Sequence, residues 1–161
     1  MRQKTLKERL RTNPWFERLS DEHYEKMVSI ATIVKWPAGK DIFREGDEDL
    51  YLYLILKGRV AIDISYPTRG RVRILTLNED EIFGWSAVLP VVKIKTAGAH
   101  TILDTEAVAF DADALREICE QDHELGFLVY RRLTNVIAGR LSATRMQLLD
   151  MYSTGTESEI P

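Results

Sequence analysis

The chain has 161 residues, of which 45% are hydrophobic and 29% charged, and its net charge is −3. That length suits one well-buried core and is too short for two ordinary domains. No apolar run approaches the roughly 20 residues of a membrane span, and the negative balance offers no overall attraction to nucleic-acid phosphates, although the first eleven residues are locally basic. The N-terminus is charged and runs into Glu8 to Asn13 rather than an apolar stretch, so it does not read as a secretory signal, and a cytoplasmic location is expected.

The first stretch has helical spacing. Leu6 and Leu10 lie four apart, Asn13-Pro14 interrupts, and Ser20-Asp21-Glu22-His23 supplies an N-cap and an acidic first turn ahead of Met27, Ile30 and Ala31. Two short helices are predicted, over about Lys4 to Arg11 and Asp21 to Ala31. From Thr32 to Asp111 the period shortens, and Gly39, Gly46, Gly58, Gly70, Gly84 and Gly98 punctuate the chain at gaps of 7, 12, 12, 14 and 14 residues. Short strands joined by tight turns have this spacing. Val60 to Ser65 alternates and predicts one buried face, whereas Leu50 to Leu56 is apolar on both faces and predicts an interior strand.

The last stretch is helical again. Asp113 to Glu120 forms a short helix, and Gln121-Asp122 starts a longer one through Leu125, Leu128, Val129, Leu133, Val136, Ile137, Leu141, Leu148 and Leu149. A helix of about 30 residues extends roughly 45 Å, more than a small β-roll needs for cover. The stripe Val129, Leu133, Ile137, Leu141 and Leu148 is therefore read as a homodimerisation face, with packing onto the chain's own core accounting for part of it. The tail, 153–161, is polar and is expected to be disordered.

Three segments carry a family resemblance: Pro37 to Asp47, a turn, a strand and a second glycine turn; Leu52 to Val60, a hairpin; and Asp80-Glu81-Ile82-Phe83-Gly84-Trp85-Ser86-Ala87. Together they resemble the cyclic-nucleotide-binding domain family of catabolite activator protein and kinase regulatory subunits, over about Pro14 to Tyr152. The resemblance implies a mainly β fold with helices: a β-roll (a jelly-roll-like double-stranded β-helix) flanked by N-terminal helices and a long C-terminal helix. The expected organisation is one domain over 1–152, with helices within 4–31, the roll over 32–111, C-terminal helices over 113–152, and no helix-turn-helix after them.

The resemblance also implies a ligand, cyclic AMP or cyclic GMP, and a site. In the family a short helix after a glycine aims amides at the cyclic phosphate, an acidic residue takes the ribose hydroxyl, and an arginine pairs with the phosphate. Gly84 matches the glycine, with Ser86 and Ala87 following. Trp85 stands where the family has glutamate, and Lys95-Thr96-Ala97 supplies lysine where arginine is expected. Tryptophan offers one N–H donor and cannot accept a hydroxyl as a carboxylate does; lysine binds phosphate as a point charge without the planar fork. Lys93 is the substitute cation, an exposed strand lysine is the other reading of Lys95, and Trp85 is read as a pocket-filling aromatic ahead of a ligand stacker. Ser86 is also a candidate cap of the short helix. Thr144 falls where the resemblance places a base-contacting threonine; a plain helix residue facing a partner helix is the other reading. The ligand-binding set is thus Gly84, Trp85, Ser86, Ala87, Lys95, Thr96, Ala97 and Thr144.

Other chemistries find little support. Cys119 stands alone, and His23, His100 and His123 are scattered, so no metal site is expected. No nucleophile elbow, Walker loop or acidic catalytic pair occurs, and Asp47-Glu48-Asp49 reads as a solvated turn. The expectation is a non-enzymatic sensor or adaptor without cofactor, homodimeric through its long helix, with no direct contact to nucleic acid or membrane. The alternative is a protein-interaction or dimerisation module of the same fold that has lost nucleotide binding.

Overall fold

The computed structural model describes residues 5–48, 50–89, 91 and 94–155. The first helix, α1 (Leu6–Arg11), begins with a capping box in which Thr5 and Glu8 satisfy each other's backbone amides. A 3-10 turn at Pro14–Phe16 follows, started by the Asn13 side chain on the Trp15 amide. Helix α2 (Asp21–Ser29) is capped by Ser20. It ends two residues short of the predicted Ala31, because Ala31 pairs with Phe110 as the first residue of a strand.

Eight strands follow among the described residues: β1 (Ala31–Trp36), β2 (Asp41–Phe43), β3 (Tyr51–Lys57), β4 (Val60–Tyr66), β5 (Gly70–Leu77), β6 (Ile82–Phe83), β7 (Gly98–Thr101) and β8 (Thr105–Asp111). They form two antiparallel four-stranded sheets, ordered β1-β8-β3-β6 and β2-β7-β4-β5. Helix α3 (Ala112–Gln121) leaves β8 directly, with Asp111 as its N-cap. Helix α4 (His123–Gly155) has 33 residues, so it spans about 50 Å at 1.5 Å per residue. It runs three residues past the predicted end at Tyr152 and so takes in 153–155 of the tail expected to be disordered; 156–161 lie outside the described residues.

Strand β3 explains how the core divides. Leu52 and Leu54 face the helices and join a cluster with Leu10, Phe16, Met27, Phe110, Leu115, Leu125, Val129 and Leu133. Ile55 and Tyr53 face the other way, into the roll, where Val60, Leu77, Phe83 and Ala99 meet from both sheets. The interior strand predicted from Leu50 to Leu56 is therefore real over 52–55, while Leu50 itself is exposed.

Strand β4 departs from simple alternation. Its pairing with β5 shifts between Ile62 and Asp63, so Val60, Ala61 and Asp63 are buried while Ile64 is 36% exposed. Asp63 is held there by His100 Nδ1 at 2.7 Å and by Arg71. A buried carboxylate needs such partners. His100 is thus part of a partly buried hydrogen-bond network.

Candidate functional site

Strand β6 ends at Gly84, which adopts φ +71° and starts a 3-10 turn at Trp85–Val88. A Cβ there would lie 2.6 Å from the Tyr51 carbonyl oxygen, so glycine is required by both conformation and space. The turn closes with Ala87 N donating to Gly84 O at 3.2 Å and Leu89 N to Ser86 O at 3.0 Å. Such a turn has no internal acceptors for its leading amides, those of Trp85 and Ser86. Ser86 does not cap the turn: the cap position is Gly84, with no side-chain bond.

Lys95 arrives from the opposite side. Its backbone is clamped to the Gly46 turn, with Lys95 N on Asp47 O and Gly46 N on Lys95 O, both at 2.8 Å. Its side chain is not that of an exposed strand lysine, because the residue is only 4% exposed. The ammonium sits 4.3 Å from the centroid of the Phe43 ring and 3.2 Å from the Cβ position at Gly84. Phe43 in turn belongs to an aromatic group with Tyr53 and Phe83, the last two stacked at 4.8 Å.

Between roll and α4 lies a cavity of about 360 Å³, within the range of small-molecule sites. Seven of the eight residues singled out from the sequence line it: Gly84, Trp85, Ser86, Lys95, Thr96, Ala97 and Thr144. Ala87 does not, being 1% exposed and turned into the core. Trp85 is half-buried and packs against the helical cluster, so its ring forms a wall while leaving the cavity open. Thr144 sits on α4 and donates its hydroxyl to Arg140 O at 2.9 Å. Lys93, the substitute cation, lies outside the described residues, as do Pro90 and Val92 of the same loop and Asp49 of the acidic run.

Sequence reasoning missed the apolar walls, Phe43, Ile62, Leu75, Phe83, Ile137 and Leu141, and a second cation, Arg140. Arg140 is half-buried and donates to the Ile82 carbonyl, tying α4 to the strand that leads into Gly84. Burial lowers its pKa from the usual guanidinium value, and Glu81 works against that shift. The signal was present in the sequence: Arg140 lies four residues before Thr144, hence on the same helix face. The site thus offers a cation beside a turn on the roll side and Arg140 and Thr144 on the α4 side of a largely apolar chamber, an arrangement for an anion with an apolar body.

Elsewhere, no group of three or more His, Cys, Asp or Glu among the described residues could hold a metal. No helix among them is long and apolar enough to cross a membrane. Cys119 is buried, which pushes its thiol pKa up to about 11.

Comparison with known proteins agrees with this architecture. The family model for the cyclic nucleotide-binding domain matches residues 33–122. Over 128 residues the chain is 31% identical to the CRP-like cAMP-activated global transcriptional regulator of Mycobacterium tuberculosis, covering 79% of this chain and 54% of that protein. It is 30% identical to the cyclic AMP receptor protein of Thermus thermophilus, covering 77% of this chain and 59% of that one. The chain spans little more than half the length of these relatives. In structure it is similar to a cyclic nucleotide-binding domain from Methylobacillus flagellatus, with a TM-score of 0.77 at 24% identity over 89% of this chain and 80% of that one. The chain belongs to the cyclic nucleotide-binding domain family.

Proposed function

We propose that this domain is a small-molecule sensor whose cavity seats a cyclic nucleotide by its phosphate and whose α4 helix reports occupancy. The observation that carries the reading is the burial of the Lys95 ammonium beside the Gly84 turn, at the edge of an open chamber. A cation beside a turn whose leading amides have no acceptor within the turn suits an anion there, since charge-assisted hydrogen bonds are about twice as strong as neutral ones. Relatives named for cyclic AMP make that nucleotide, and cyclic GMP beside it, the first ligands to test. The reading is of regulation rather than catalysis, and it places the protein in the cytoplasm, where such nucleotides act.

Helix α4 contributes Ile137, Arg140, Leu141 and Thr144 to the cavity. A ligand touching both these residues and the Gly84 turn shifts the angle between roll and helix by as much as its affinities for the two states differ. Val129 and Leu133 of the expected stripe are each 1% exposed and belong to the chain's own core, so they are not free for a partner; what remains on the helix is a heptad seam, Tyr130, Ile137, Thr144 and Met151 alternating with Thr134, Leu141 and Leu148. Leu141 and Leu148 are about half exposed. That pattern supports a homodimer through α4, with Thr144 at both seam and cavity.

Calorimetric titration of cyclic AMP and cyclic GMP into the full chain tests the reading. Saturable heat is expected, and the absence of both heat and thermal shift at millimolar nucleotide removes it. A second reading, a dimerisation module that no longer binds nucleotide, is favoured by Trp85, which stands where the family has glutamate and packs on the helical core. If Trp85→Glu binds cyclic AMP while the unaltered chain does not, the second reading holds.

A further inference from the structure

The carbonyl end of the Trp85–Val88 turn is buried, and its hydrogen bond is supplied by another element. Ala87 is 1% exposed, and its carbonyl accepts from Arg116 Nη1 on α3. The other arm of the same guanidinium donates to Asp113, one turn earlier on α3. The Ala87 amide is already bonded to Gly84 O. Ala87 is therefore held at both ends, by Gly84 within the turn and by Arg116 across it.

Helices α3 and α4 form a close unit on the far side of that bond. A Cβ at Gly126 of α4 would lie 2.6 Å from the Cys119 carbonyl oxygen of α3, so the two backbones touch. Arg116 also lies near enough to Tyr130, on the α4 seam, to oppose the rise that burial imposes on its phenol. We propose that Arg116 is a positioning residue for the ligand site, fixing the Trp85–Val88 turn through the Ala87 carbonyl and linking it mechanically to the α3–α4 unit. The ligand side of this inference rests on the sensor reading; the mechanical link does not.

The consequence is a defined route from cavity to helix. A ligand drawing on the Trp85 and Ser86 amides pulls a turn whose other end is fastened to α3, so α3 and α4 follow. A buried carbonyl left without its donor is costly, and a guanidinium bond is stronger than a neutral one.

Hydrogen exchange on the unliganded full chain tests the link with Arg116→Met, which keeps the apolar stem, and Arg116→Lys, which restores one charged donor. The expected result is at least about tenfold faster exchange in the 85–89 peptide of R116M, partial recovery in R116K, and unchanged exchange in β3 and β8. Unchanged exchange at 85–89, or uniform acceleration that includes β3 and β8, overturns the proposal. A parallel titration with cyclic AMP separates the two claims: if the unaltered chain gives no heat, the sensor reading fails while the exchange result still decides the role of Arg116.

Discussion

The ammonium of Lys95 and the backbone of Gly84 approach so closely that a Cβ on Gly84 would stand 3.2 Å from Nζ and 2.6 Å from the Tyr51 carbonyl oxygen. A lysine from one loop and a turn from another therefore share a single small space. Gly84→Ala faces two penalties: a left-handed conformation costing about 1–2 kcal/mol for a residue with a side chain, and a backbone clash. Denaturant unfolding is expected to show a loss of at least about 1 kcal/mol, with nucleotide binding abolished. An unchanged unfolding midpoint would show that the turn is not constrained as described.

Lys95→Met keeps the length of the side chain against Phe43 and removes its charge. Hydrogen bonds to charged groups are worth about 1.5–3 kcal/mol, so cyclic AMP affinity should fall roughly 10- to 100-fold. Lys95→Arg, placing a planar fork in a space fitted to an ammonium, should fall in between. Calorimetry on both variants checks this, and equal affinity in all three proteins would move the anion away from Lys95.

Leu148 lies on the α4 seam beyond the cavity and is 52% exposed. Leu148→Asp should give a monomer by sedimentation equilibrium at micromolar concentration, with the far-ultraviolet spectrum of the roll unaltered. A carboxylate in the seam must be desolvated or expelled, and either opposes pairing. An unaltered chain that is already monomeric, or a dimer that persists in L148D, contradicts the α4 interface.

Asp122 joins α2 to the start of α4. Its carboxylate takes Lys26 Nζ at 2.7 Å and the Leu125 amide at 3.1 Å, and lies 3.2 Å from His23 Nε2. The Lys26 hydrogen bond, the Leu125 amide and the His23 charge hold its pKa down from 3.8 to about 2. A folded-state pKa below the unfolded value means stabilisation that is full above about pH 4 and disappears as pH falls toward 2. Urea midpoints should therefore drop more steeply over that window in the unaltered chain than in Asp122→Asn, which loses stability at pH 7 but titrates less. Parallel acid limbs for the two proteins would rule this out.

Much of the roll was legible because its signals are local. The glycine turns at Gly39, Gly46, Gly58, Gly70 and Gly84 all adopt positive φ, and no tertiary contact is needed to read them, whereas Gly98, read with them, is the first residue of β7. The two-faced apolar run in β3 likewise identified the strand between the two cores. Asp63 and His100 were not legible, because a register shift in β4 inverts which residues are covered. The helix face of Arg140 could be read from its spacing to Thr144, but its partner could not, nor could that of Arg116: each acts on a backbone carbonyl, at Ile82 and Ala87, brought near only by folding. A carbonyl in need of a donor leaves no trace in residue spacing.

A crystal structure of the chain grown with millimolar cyclic AMP would show whether an anionic ligand sits on Lys95 inside the chamber between roll and helix. The expected result is a cyclic phosphate about 3 Å from Lys95 Nζ and the Ser86 amide, with the base reaching toward Thr144. An empty chamber with the Trp85 indole turned into the phosphate position, or nucleotide bound elsewhere on the surface, would contradict it.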